Sequence, residues 1–169
     1  MITVSYCQMM ARYNVWMNDR LYQLCEGLDD TERKQERGAF FGSIHGTLDH
    51  ILYGDLAAMV RFTGEPAEMP VLGQWLHEDL TILRAARKAL DQRLTSWSSD
   101  LSDDWMAATM TYTSQADGLS RTVPRWVMVV HMFNHQTHHR GQLTTLLSQL
   151  SLDIGTTDLP FLPEFTSTH

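Results

Sequence analysis

Helical periodicity constrains this chain more than any other feature. From residue 5 to about residue 26, the apolar side chains Tyr6, Met9, Met10, Tyr13, Trp16, Met17, Leu21 and Leu24 fall at helical spacing. Gly27 and the pair Asp29 and Asp30 then mark a stop and a loop. Ser43 is an N-cap for a second helix that runs to about Thr63, where Gly64 and Pro66 end it. A loop through Pro70 and Gly73 leads to a third amphipathic helix from Trp75 to about Trp97, with Arg84, Arg87 and Lys88 on a solvated face. Residues 98–104 break the pattern. Residues 107–113 and 119–123 then flank Gln115, Ala116, Asp117 and Gly118, which predicts a short β-hairpin. Pro124 suits the first turn of a last helix, from about Arg125 to Leu150, and the tail from Ser151 onwards reads as irregular. The expected fold is all-α, a four-helix bundle with a short β-hairpin before the last helix, in one domain over residues 1–169.

Composition narrows the function classes. Hydrophobic residues make up 43% of the chain, enough for a packed core and too many for a disordered one. Thirteen basic against twenty acidic residues leave a net charge of −7, the wrong sign for a protein that neutralises phosphates, so no nucleic-acid partner is expected. Cys7 and Cys25 are too few and too far apart for a disulfide framework or a cysteine zinc site, and both read as small buried hydrophobes. No apolar run reaches the roughly 18–20 residues that cross a bilayer, and the N-terminus lacks a signal-peptide pattern. The expectation is a cytoplasmic protein with no membrane partner.

The chain has eight histidines, and His131, His135, His138 and His139 cluster on the last helix. At about 100° per residue all four fall within an arc of about 100°. His135 and His139 have the i, i+4 spacing that lets two imidazoles converge on one ion, as in helical zinc sites. His131 and His135 share that spacing, so geometry alone leaves the pair open. Burying several neutral imidazoles together leaves donors and acceptors in need of partners, and a shared cation satisfies them at once. Gly141 costs a helix about 1 kcal/mol relative to alanine, which implies a close helix contact there. Arg140 reads either as a surface charge or as a partner for a carboxylate or anionic substrate near the metal.

A catalytic site also needs a third ligand and an open position. The second helix offers His45, Asp49, His50 and Asp55. Its bulky face, Ile44, Leu48, Ile51, Leu52, Met59 and Phe62, has His45 at its edge and His50 well away from it, so periodicity favours His45. A second stripe, Thr47, Gly54, Ala57 and Ala58, surrounds His50 with small side chains that leave room for an ion and a substrate, which puts His50 slightly ahead. Asp49, Asp55 and His45 otherwise read as polar surface or as groups that orient an imidazole.

At these residues the sequence resembles the DinB/YfiT-like family of metalloenzymes. The resemblance runs through YNVWMNDRLYQLCEGLDD, SIHGTLDHILYGD, HMFNHQTHHRGQL and DIGTTDLPFLP, and so covers nearly the whole chain. It implies a four-helix bundle, a homodimer, and one divalent metal ion, zinc or nickel, on three histidines: His50 of LDHI, then His135 and His139 of NHQTHHRGQ. His45, His131 and His138 become neighbours, and His77 and His169 read as surface and tail. Related sequences often carry a tryptophan shortly after the position of Asp55. Here Leu56, Ala57, Ala58 and Met59 stand instead, which leaves the pocket more open or differently filled.

Three neutral ligands leave the ion's charge uncompensated, which favours an anion at the open position. The resemblance implies thiol S-transferase-like chemistry, in which a low-molecular-weight thiol attacks a small electrophile. The alternatives are a metal-dependent hydrolase and a non-enzymatic metal-binding stress or interaction protein. Tyr13, Asn14, Asn134 and Arg140 are the available acid/base candidates, and none is singled out by spacing.

Overall fold

Three of the four long helices begin where a side chain accepts a free backbone amide, and the last begins after Pro124 without such a cap. Thr3 accepts from the Tyr6 N–H at 3.1 Å, Ser43 from Gly46 at 3.0 Å and Asp79 from Ile82 at 3.0 Å. A computed structural model describes residues 2–114 and 117–166. Its elements are α1 (Val4–Glu26), α2 (Asp30–Lys34), α3 (Ile44–Thr63), α4 (Leu80–Ser99), α5 (Asp103–Ala107), β1 (Thr109–Thr113), β2 (Ser120–Pro124) and α6 (Arg125–Gln149). A 3₁₀ turn (Leu159–Phe161) and α7 (Pro163–Thr166) follow in the tail.

The four long helices form the expected bundle, with α3 packed mainly on α6 and α1 on α4. The core is built of Leu, Met and aromatic side chains, with Cys7 and Cys25 fully buried in it. Burial pushes the Cys7 thiol up to about 11 and that of Cys25 to about 12, so both are inert packing groups. The hairpin is present before α6. β1 and β2 pair antiparallel with Met110 opposite Val123 and Thr111 opposite Thr122, and the two threonine hydroxyls lie 2.7 Å apart. Gly118 takes the left-handed φ of 70° in the turn, while Gln115 and Ala116 lie outside the described residues, as does His169.

One helix boundary and several short elements differ from the sequence reading. The third long helix starts at Leu80 rather than Trp75, because the backbone N–H groups of Leu76 and His77 are already held by the Asp49 carboxylate at 2.9 and 3.0 Å. Asp29 and Ser102, read as loop residues, each cap a five-residue helix, α2 and α5. The tail carries short helical turns where an irregular path was expected.

The larger correction concerns Arg87. It does not lie on a wet face with Lys88; it is only 1% exposed. Its Nη1 donates to Asp55 Oδ2 at 2.5 Å, and its Nη2 lies 2.8 Å from Asp91 Oδ1. The Asn18 amide donates to both Asp91 oxygens at 3.1 Å, and the Gln136 amide donates to Asp55 Oδ1 at 2.6 Å. One buried polar cluster therefore takes side chains from α1, α3, α4 and α6. Such a cluster is tolerated in an interior because each charge meets an opposite one with hydrogen bonds.

Candidate metal centre

What fits between α3 and α6 is decided by small residues on α3. A Cβ at Gly54 would lie 2.5 Å from His135 Cε1 and 2.9 Å from its Nδ1, so only glycine lets that imidazole rest against α3. A Cβ at Gly46 would lie 2.3 Å from the Phe41 carbonyl oxygen, so this glycine lets the preceding loop fold back over the helix. Gly141, expected to mark a tight helix contact, meets nothing within 4 Å and is exposed. The close approach belongs to the partner helix.

These contacts bring together His50 from α3 and His135 and His139 from α6, one ring nitrogen of each lying within 4.8 Å of the others. His50 Nε2 and His135 Nε2 are 3.0 Å apart, close to the separation two nitrogens have when each sits about 2.0–2.1 Å from one tetrahedral ion. His139 Nδ1 lies 2.8 Å from Gln142 Oε1, which fixes its proton on Nδ1 and leaves the Nε2 lone pair free. Burial pulls the His50 imidazole down to about 4, helped by the neighbouring His139. Burial likewise lowers His135 to about 3, with His139 and His50 adding to the effect, and lowers His139. All three rings are thus neutral at neutral pH, the form in which histidine binds a metal. Ligand type, spacing, protonation and a cradle that a single methyl group would fill all suit one divalent ion.

Phe41 completes the site and was not foreseen. Its ring stacks on His50 with centroids 3.5 Å apart at 19°, and meets the edge of His139 at 5.2 Å. Its signal in the sequence was indirect: two glycines, Gly46 and Gly54, inside a helix that propensity would rather fill. Three cavities open around the trio. One of about 340 Å³ is lined by Phe40, Phe41, Asp49, His50 and Trp75, among others. One of about 420 Å³ is bordered by Phe40, Phe41, Leu72, His138 and His139. One of about 140 Å³ lies between α3 and α6.

The other candidates lie elsewhere. His131 and His138 are exposed at the rim, with the His131 ring 6.0 Å from that of His135, while the His138 ring is 4.8 Å from that of His139. His45 is fully buried and does not face the trio; its Nε2 lies 2.8 Å from the His77 carbonyl, and His77 is half-buried. Asp49 and Asp55, read as surface groups or as groups orienting an imidazole, are buried and bind the 64–79 loop and Arg87 instead. Arg140 is neither a surface charge nor a lining residue of these cavities. It is buried, donates to Asn14 Oδ1 and lies 5.2 Å from the Tyr13 ring. The Tyr13 hydroxyl donates to the Thr157 carbonyl at 2.6 Å, and Asn134 is exposed, so neither supplies an acid or base to the trio. Ala57 and Ala58, which stand where relatives were expected to be bulkier, line the smallest cavity and keep it open.

A helical bundle holding three converging histidines on neighbouring helices defines the class of protein. The particular family follows from comparison: the DinB family's sequence profile matches residues 1–168, and the chain belongs to that family. It is 24% identical over 155 residues to Protein DinB of Bacillus subtilis (strain 168), a match covering 88% of each chain. A crystal structure of a DinB-like protein from Bacillus cereus ATCC 10987 shares the fold, with a TM-score of 0.61 at 19% identity over 84% of this chain and 91% of that one. No helix among the described residues is long and apolar enough to cross a membrane.

Proposed function

We propose that His50, His135 and His139 hold one divalent ion, zinc or nickel, and that the chain is a metal-dependent enzyme that joins a low-molecular-weight thiol to a small electrophile. The observation that carries this reading is the state of the one carboxylate lining the three cavities among the described residues. Both oxygens of Asp49 accept backbone N–H groups, from Leu76 and His77, which ties the carboxylate to the loop that carries them rather than to the histidines. Hydrolysis at helical two-histidine metal sites relies on a glutamate base, so the missing base disfavours the hydrolase reading. A divalent ion here would supply positive charge that favours a thiolate, and a thiol at about pKa 8.5 is far nearer neutrality than water at about 15.7.

The chain's own residues do the rest. Gln142 holds the His139 ring in one tautomer and orientation. Phe41 covers the face of His50 and keeps water from it. Phe40, 81% exposed, stands with Leu72 at the 420 Å³ cavity and offers an apolar surface to an electrophile. A homodimer is proposed with this reading, checked by light scattering.

Purified protein is expected to carry one divalent ion per chain, and the double variant His135→Ala/His139→Ala none; full metal content in the double variant overturns the site. A panel of thiols and electrophiles, run with metal restored and with chelator, is expected to give metal-dependent thioether formation. Metal-dependent ester cleavage without any thioether would support the hydrolase instead.

A further inference from the structure

The 140 Å³ cavity has a lining unlike the rest of this acidic chain. Gly54, Ala57 and Ala58 of α3 and Met128 and Met132 of α6 form its walls, His50 and His135 face it, and none of its lining residues is Asp or Glu. Arg61 also lines it. Other arginines, such as Arg37, Arg84 and Arg93, reach a carboxylate. Among the described residues Arg61 reaches none. Its guanidinium lies 5.8 Å from the centre of the Tyr112 ring on the hairpin, which holds the side chain without neutralising it. A half-buried cation with no counter-charge in an acid-free cavity is poised for an anion.

The spacing sets the size of that anion. His50 and Arg61 stand on one helix about three turns apart, a rise of about 16 Å, and a helical side chain leans back toward the N-terminus. That leaves a span on the order of 10 Å between the guanidinium and the histidines, and a volume of about five waters at ~30 Å³ each. His131, one turn from His135 and also in the lining, adds a second hydrogen-bonding group along the way.

We infer that this cavity binds a small organic acid, with Arg61 holding its carboxylate and the opposite end directed at His50, His135 and His139. The reacting end rests on the metal-site reading above; the carboxylate subsite does not. The acid could be carried by the thiol or by the electrophile, and both bring the same carboxylate to Arg61.

Two probe pairs separate these sources. In cobalt(II)-restored protein, 3-mercaptopropionate and its methyl ester are titrated by the sulfur-to-cobalt charge-transfer absorption. In protein with ¹³C-labelled methionine methyls, both metal-loaded and metal-free, crotonate and crotonamide are titrated by the shifts of the Met128 and Met132 signals. At least one acid is expected to bind on the order of tenfold tighter than its neutral partner, and Arg61→Gln is expected to bring the two within about twofold while metal content stays unchanged. A preference confined to the thiol pair assigns the carboxylate to the thiol; one confined to the crotonate pair assigns it to the electrophile. Equal binding in both pairs, no methyl shift or charge-transfer band with any probe, or a preference that survives Arg61→Gln overturns the inference. Should cobalt fail to bind, the metal reading falls, and the crotonate pair on metal-free protein still decides the Arg61 subsite.

Discussion

Replacing Gly54 by alanine separates the site from the fold more cleanly than removing a ligand. The added methyl would sit 2.5 Å from His135 Cε1, where ordinary contact begins at 3.4 Å, so the imidazole must retreat by about 0.9 Å. Metal sites tolerate displacements of only about 0.2 Å in ligand distance, so the ring leaves the shared position. The helix itself gains from the substitution, since alanine is favoured over glycine by about 0.8–1.0 kcal/mol in a helix interior. An imidazole pushed off its rotamer gives back about 0.5–1.5 kcal/mol. The metal-free variant should therefore match the parent within about 1 kcal/mol in urea denaturation, while a chromophoric-chelator competition shows zinc affinity at least tenfold weaker. Gly141→Ala is the control: with nothing within 4 Å it should raise stability by about 0.5–1 kcal/mol, about 2–4 °C in Tm at most, and leave affinity unchanged. Parent-like zinc affinity in Gly54→Ala would refute the geometry on which the candidate site rests.

Removing the Asp55 carboxylate with Asp55→Ala should cost about 3 kcal/mol, because buried Arg87 keeps Asp91 but loses its other carboxylate and the Gln136 amide loses its acceptor; a loss under about 1 kcal/mol in calorimetry would show that the cluster is not a structural tie. Gln142→Leu should leave the fold intact and weaken metal binding by about 10–100-fold, since His139 loses the acceptor that fixes its tautomer, and unchanged affinity would count against that role. Burial holds His50 at about 4 and His135 at about 3 against an ordinary 6.5, so the folded metal-free chain binds fewer protons than the unfolded chain as acid is added. That stability is complete above pH 6.5 and is lost as the pH falls toward those lower values. Urea midpoints at about pH 7.5 and about pH 5 should show the decline, and a rise on acidification would contradict it.

The long helices were legible because their signals are local: Ser43 and Gly64 bound α3 as read, and the alternation around Gly118 gave the hairpin. The His135 and His139 pair was legible for the same reason, but its choice over His131 and the choice of His50 over His45 rested on resemblance. Arg87 was misread because Asp55 comes from another helix, and the i, i+4 pairing with Asp91 on its own helix looks the same on a wet face as on a buried one. Trp75 and Leu76 continue the apolar spacing of α4, yet Asp49, far away in sequence, accepts the amides of Leu76 and His77 and postpones the helix. The close contact expected at Gly141 occurs at Gly54. A glycine in a helix signals a close neighbour or simply an exposed position, and only the packing tells Gly54 from Gly141.

The polar cluster under the trio has one further consequence. Gln136 follows His135 directly and Asp55 follows Gly54, so the residues that anchor α3 and α6 to each other in the interior are chain neighbours of those that shape the site. The relative translation of the two helices is thereby set when the interior closes, before any ligand arrives. The entropy of positioning the two ligand-bearing backbones is then a cost of folding rather than of binding, and what an arriving ion must still order is reduced to three imidazole torsions.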